Sequence, residues 1–141
     1  MKKHLLLLAF AGGLALTAVA QKGITPPAAA NTAFQKAYPG ISNVKWEKEG
    51  PGYEANFKQN GTEMSAVYDA KGVLQETETS IKIAELPPAV ADYVKTHYKG
   101  AVLKEAAKVT KANGTVNYEA EVNKKDVIFD AKGVFIKEEK D

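Results

Sequence analysis

The stretch Asp69-Ala70-Lys71-Gly72-Val73 returns letter for letter as Asp130-Ala131-Lys132-Gly133-Val134. An apolar-aromatic run precedes each copy, Ala66-Val67-Tyr68 and Val127-Ile128-Phe129. Such a return marks a tandem duplication and restricts the chain to folds built twice from one unit. Asp at the first position of a type I turn bonds its own backbone two residues on. Gly at the fourth position takes positive φ at little cost. A type I turn closed by a left-handed Gly makes a hairpin with a bulge. Asp69, Gly72, Asp130 and Gly133 are therefore expected to be structural turn residues. Calcium is the other role for such an Asp, but a calcium loop needs several oxygen ligands at alternate positions. Each loop here has one Asp, so no metal site is expected.

The chain around the two copies follows one plan. Pro26-Pro27 opens a helix whose Ala30, Ala33, Phe34, Ala37 and Tyr38 share one face, and Pro39-Gly40 ends it. Pro87-Pro88 opens a second, with Val90, Tyr93, Val94, His97 and Tyr98 in the same five places and Gly100 at its end. Each stripe predicts a helix lying on a sheet. Tyr53, Ala55 and Phe57 alternate with Glu54, Asn56 and Lys58, as in a half-buried strand. Asn60-Gly61 predicts a two-residue hairpin. That turn sets Phe57 against Met64, Ala55 against Ala66 and Tyr53 against Tyr68, all on one side. Lys58 then faces Glu63, Asn56 faces Ser65 and Glu54 faces Val67. Trp46 falls beside Ala55 as a core anchor, and the Asp69 turn places Leu74 beside Tyr68. The second half repeats this with a strand over Leu103–Val109, a hairpin turn at Asn113-Gly114, then Tyr118, Ala120 and Val122 answered by Val127 and Phe129. The expectation is an α+β fold: a helix plus four antiparallel strands, duplicated, giving about eight strands in one sheet with both helices on one face.

Met1-Lys2-Lys3-His4, an apolar run from Leu5 and the small-x-small ending Ala18-Val19-Ala20 read as a secretory leader cleaved near Ala20. Residues 1–20 are then the signal peptide, 21–82 the first repeat and 83–141 the second, packed as one unit because Ser80–Glu85 lacks a flexible composition. Without cysteine the chain would stand without disulfides in a periplasmic or extracellular compartment that permits them. All 19 basic residues are Lys. Losing Lys2 and Lys3 with the leader would leave 17 against 17 acidic residues, a neutral chain instead of one at +2. A neutral chain without Arg is poorly suited to nucleic acid, and nothing suggests a membrane partner after cleavage. Nor does any cofactor or catalytic constellation stand out. His97 is the sole histidine after the leader; one turn from a helix end, it reads as a packed or edge residue favoured by the helix dipole.

The ordered set Tyr-Pro-Gly at 38–40, Val-Lys-Trp-Glu at 44–47, Gly-Tyr-Glu-Ala-Asn-Phe at 52–57, Val-Tyr-Asp-Ala-Lys-Gly-Val-Leu at 67–74, Leu-Pro-Pro-Ala-Val at 86–90 and Tyr-Lys-Gly at 98–100 resembles the PepSY-like, or beta-lactamase-inhibitor-like, exported proteins of Bacteroidetes-type bacteria. The resemblance spans essentially the whole mature chain. It implies a helix followed by four antiparallel strands, twice, with the sheets side by side. It brings no catalytic residues. The inhibitor that lends the family its name grips its enzyme through the open sheet face and hairpin loops, but nothing here matches its contact residues.

If the helices cover the face of Tyr53, Phe57, Tyr118 and Phe129, the other face carries Val67, Ile128 and Ile136 among Glu54, Lys58, Glu119, Glu121 and Asp126. Ile128 and Ile136 are expected to be cross-strand neighbours, with Glu119 on the far side of Ile128 and Glu121 facing Asp126. An apolar centre in a charged rim is how partner surfaces are built. The expected function is thus a non-catalytic binding or inhibitor-like module whose open face takes a periplasmic protein or peptide. The competing readings are a structural or stress-related envelope protein without a dedicated ligand and, less favoured by these residues, an enzyme.

Overall fold

The computed structural model describes residues 23–140; the leader and its cleavage point fall outside them. Helix α1 (Ala28–Ala37) leads into strands β1 (Val44–Glu49), β2 (Gly52–Gln59), β3 (Thr62–Tyr68) and β4 (Leu74–Ile81). A 3-10 turn at Ile83–Glu85 then gives way to helix α2 (Pro88–His97) and strands β5 (Ala106–Lys111), β6 (Val116–Val122), β7 (Lys125–Asp130) and β8 (Phe135–Lys140). The eight strands form one antiparallel sheet in chain order from β1 to β8. This is the expected α+β architecture, a helix and four strands built twice.

The register between β2 and β3 is the expected one throughout: Tyr53 with Tyr68, Ala55 with Ala66, Phe57 with Met64. Asn60 and Gly61 both hold positive φ, so the turn is the tight primed type that matches strand twist. Trp46 lies opposite Ala55, and Leu74 opposite Tyr68. Asn113-Gly114 turns differently. Only Gly114 has positive φ, and its N–H donates to the Lys111 carbonyl, so the β5–β6 turn is wider than the one at Asn60. The second primed turn is at Asn123-Lys124, without a glycine.

Both helices cover the same face. Phe34 and Ala30 of α1 are fully buried against Trp46, Ala55, Phe57, Ala66 and Tyr68. Val90 and Val94 of α2 are buried against Ala106, Ala120, Val122, Val127 and Phe129. Register carries one cluster into the other: Ala66 lies opposite Thr77, Thr77 opposite Thr110, and Thr110 opposite Val116 on the strand of Ala120. The first cluster is aromatic, with Phe34 5.0 Å from Phe57 and 5.7 Å from Trp46 between ring centres.

Two expectations need correction. The strand expected from Leu103 begins at Ala106, because Leu103 packs into the α2 core and leaves the ladder. Ile128 lies opposite Lys137, not Ile136. A bulge sets Phe129 against Phe135 and makes Ile136 the extra residue. Phe135 stacks on Tyr93 at 4.9 Å, which holds the bulge in place by drawing the strand start into the core. The first half has the same irregularity beside Tyr68, with Gln75 extra.

Candidate functional site

The repeated Asp turns are built as expected. The backbone N–H groups of Lys71 and Val73 donate to Asp69 Oδ1 at 2.8 and 2.9 Å. Lys132 and Val134 do the same to Asp130 at the same distances. Gly72 and Gly133 hold φ of +81° and +83°. Each turn touches the start of its helix: a Cβ on Gly72 would stand 2.5 Å from the Ala29 carbonyl oxygen, and one on Gly133 would stand 3.0 Å from Pro87 Cβ. The Asp carboxylates are occupied by turn amides, and their work is to seat the helices.

The sheet face without helices is less ordinary. Strand alternation sends Glu54, Asn56 and Lys58 of β2 there, with Glu63, Ser65 and Val67 of β3, Glu76 and Glu78 of β4, Glu119 and Glu121 of β6, and Asp126 and Ile128 of β7. Glu54 meets Val67, Asn56 meets Ser65, Glu119 meets Ile128 and Glu121 meets Asp126, as the sequence predicts. Lys58 and Glu63 pair at 3.2 Å on the rim. Ile136, displaced by the bulge, is exposed and does not join this set.

The anticipated apolar centre in a charged rim is not what forms. The carboxylates are inside with the apolar residues: Glu119 is 3% exposed and Asp126 2%, alongside Ile128 at 3%. Glu54, Asn56, Ser65, Val67 and Glu121 are buried too. Among the described residues no helix lies on this side, yet these groups are buried. Bulges next to Tyr68 and Phe129 supply the local bend and extra twist.

Burial raises the cost of charge. It pushes the Glu78 carboxyl well above the ordinary carboxylate range, and Glu119, Glu54, Glu76 and Asp126 add repulsion from three other positions across the sheet and one on its own strand. Burial also pushes Glu54 up, while a hydrogen bond from Ser65 works against the rise. Glu105 is raised by burial and by Glu121 and Glu63. Asn56 Nδ2 reaches Glu47 at 3.5 Å, but its Oδ1 is buried and receives no hydrogen bond. Glu121 Oε2 is likewise buried without one. Glu54, Asn56, Ser65 and Glu78 line a cleft of about 740 Å³. Ser80 and Ala107 line it as well, and residues 40–43 and 104–105 lie along it.

Sequence reasoning overlooked Glu78. The signal was there in β4, where Glu76, Glu78 and Ser80 alternate with Thr77 and Thr79. Threonine opposite the core residues left no apolar stripe to draw notice. His97 is an edge residue: exposed, stacked on Tyr93 at 3.9 Å, with Nδ1 2.9 Å from the Tyr93 carbonyl oxygen. It lies on α2, away from the carboxylate face. Among the described residues no three acidic, histidine or cysteine side chains are grouped to hold a metal ion.

The family profile described as "Putative beta-lactamase-inhibitor-like, PepSY-like" matches residues 17–76 and again 52–137. The chain belongs to the PepSY-like family. Two overlapping matches are what a duplicated unit produces. Similar solved structures include several from Bacteroides. A "putative periplasmic" protein of Bacteroides eggerthii superposes with a TM-score of 0.72 at 19% identity, over 82% of this chain and 88% of its own. A DUF2874 family protein of Bacteroides uniformis gives 0.71 at 23% identity, over 82% and 89%. A BLIP-like protein of Bacteroides fragilis gives 0.60 at 28% identity, over 82% and 86%. The first two establish the shared fold. No curated protein matches the chain. No helix among the described residues is long and apolar enough to cross a membrane.

Proposed function

We propose that this PepSY-like protein is an exported, non-catalytic binding module that takes a protein or peptide partner on the sheet face opposite its helices. The observation that carries the reading is the burial of Glu54, Asn56, Glu119, Glu121 and Asp126 on a face that no helix covers among the described residues. Burying several carboxylates together weakens a fold, since desolvation and like-charge repulsion add. A core-building role would be better served by apolar residues, as the helix side demonstrates. Polar groups kept at such a cost gather where a protein binds or reacts. The inhibitor-like description of the family and the BLIP-like relative support binding over chemistry. The leader ending near Ala20 and the "putative periplasmic" relative support export to the periplasm or beyond.

Photo-cross-linking in the producing bacterium tests this. A photoreactive residue replaces Lys58 or Ser80 on the open face, or Lys36 or Lys95 on the exposed side of the helices. Discrete adducts from Lys58 and Ser80, and none from Lys36 or Lys95, are expected. Adducts from the helix positions alone, or from no position, would sink the reading.

A further inference from the structure

The cleft on the open face has a lining that specifies what fits. Glu54 and Glu78 stand one residue pair apart across β2, β3 and β4, with Ser65 between Asn56 and Glu78 in one cross-strand row. Asn56 Oδ1 is an acceptor with no donor, in a side chain only 5% exposed, and it lines the same cleft. Glu47, Glu76, Glu119 and Asp126 enlarge the negative field around these three acceptors. Of the lysines that line the cleft, Lys45 is tied to Glu47 at 2.6 Å and Lys58 to Glu63, and Lys104 lies beside Glu105. On a chain whose formal charge is +2 with its leader and zero without it, negative charge is concentrated here. Meanwhile Ala107 of β5, opposite Ser80 on this same face, gives the cleft an apolar surface.

We propose that this cleft receives a lysine or arginine side chain of the partner polypeptide, its cationic head among Glu54, Asn56 and Glu78 and its aliphatic stem along Ala107. This deepens the reading above and rests on the open face being the docking side. An ammonium carries three donors and no acceptor, which matches a lining of acceptors that lacks a donor for Asn56. Long basic side chains lay their methylenes on apolar surface while the head seeks polar partners. A metal ion is the poorer occupant, because no three of these carboxylates are grouped to ligate one. The cleft of about 740 Å³ is also far larger than a bare cation fills. Entry of the cation favours the ionised form of Glu78, whose charge burial and the neighbouring carboxylates otherwise oppose. The groups that set this linkage are Glu47 of β1, Glu54 of β2, Glu63 of β3, Glu76 of β4, Glu105 and Lys111 at β5, Glu119 of β6 and Asp126 of β7.

The experiment is an amide-resolved NMR titration of the folded protein with tetralysine at low salt and pH 8. Shifts confined to Asn56, Ser65, Ser80 and their neighbours are expected, with no response to tetralysine acetylated on its side chains. Glu54→Gln/Glu78→Gln should weaken binding tenfold or more. Asn56→Ala, which changes no charge, should weaken it severalfold; an unchanged affinity there means diffuse attraction and overturns the built site. Glu78→Gln alone serves if the double variant loses dispersion. Shifts centred on the helices, or equal binding by the acetylated peptide, overturn the proposal. Putrescine binding as tightly as tetralysine overturns the polypeptide occupant. A cross-linked partner whose contact segment lacks Lys and Arg would overturn this inference and leave the open-face reading standing.

Discussion

Gly72 and Gly133 occupy the same place in the two turns, yet they answer to different neighbours. Both hold positive φ, so a side chain is strained at either. A Cβ at Gly72 also meets backbone, the Ala29 carbonyl at 2.5 Å, whereas at Gly133 it meets the side chains of Pro87, Ala89 and Val90 at 3.0 Å and beyond. Side chains adjust more readily than helix backbone. Gly72→Ala should therefore cost on the order of 2 kcal/mol or more and Gly133→Ala about 1 kcal/mol, read from denaturant midpoints. Equal losses would mean that the first turn is not seated on α1. Glu78 gives a prediction in pH. Its carboxyl is held above the ordinary range by burial first and neighbouring carboxylates second. A raised folded-state pKa contributes stability below the unfolded value that is lost as pH rises through the folded one. Glu78→Gln should then melt close to wild type near pH 4 and clearly higher near pH 8. A variant that melts lower at pH 8 would show that the ionised carboxylate is satisfied.

Among the elements, α1 depends on one ring. Phe34 is fully buried and packs on Trp46, Phe57 and Tyr38. Phe34→Ala should cost about 3–5 kcal/mol by thermal or chemical unfolding; a loss under 1 kcal/mol would mean that the helix is held mainly by its ends. The elements were also what the sequence made most legible. Three-four stripes and period-two runs place both helices and the β2–β3 and β6–β7 registers, because each apolar stripe has one face it can bury. Strand ends were less legible. Leu103 reads as strand from its own apolar character and is taken by the α2 core, and the bulge that displaces Ile136 depends on Phe135 finding Tyr93, a contact distant in sequence. The site was half legible for a related reason. Alternation names the residues of the open face, including Glu54, Glu119, Glu121 and Asp126. It cannot say that the folded sheet buries them.

At the scale of the molecule, β4 and β5 join the halves. Six residue pairs from Glu76 with Lys111 to Ile81 with Ala106 form an ordinary antiparallel ladder between them. The two core clusters lie on the same side of this ladder, with Ile81 packed against the second. The halves should unfold as one. Calorimetry is expected to give a single transition whose calorimetric and van't Hoff enthalpies agree. Two resolved transitions would show that each half is a separate folding unit.

The ladder between β4 and β5 also has a bearing on how many units such a chain can contain. The last strand of the first unit serves as the seat for the first strand of the second, with no special joint. Among the described residues β8 forms the sheet margin, an edge of the same kind. Backbone geometry would thus accept a third unit, or a fourth, widening the sheet by four strands each time. What discourages unplanned recruitment is the lettering of β8 itself, Lys137-Glu138-Glu139-Lys140, since charged edges resist adventitious pairing. Charge along β8 thus decides what this margin will accept as a neighbour.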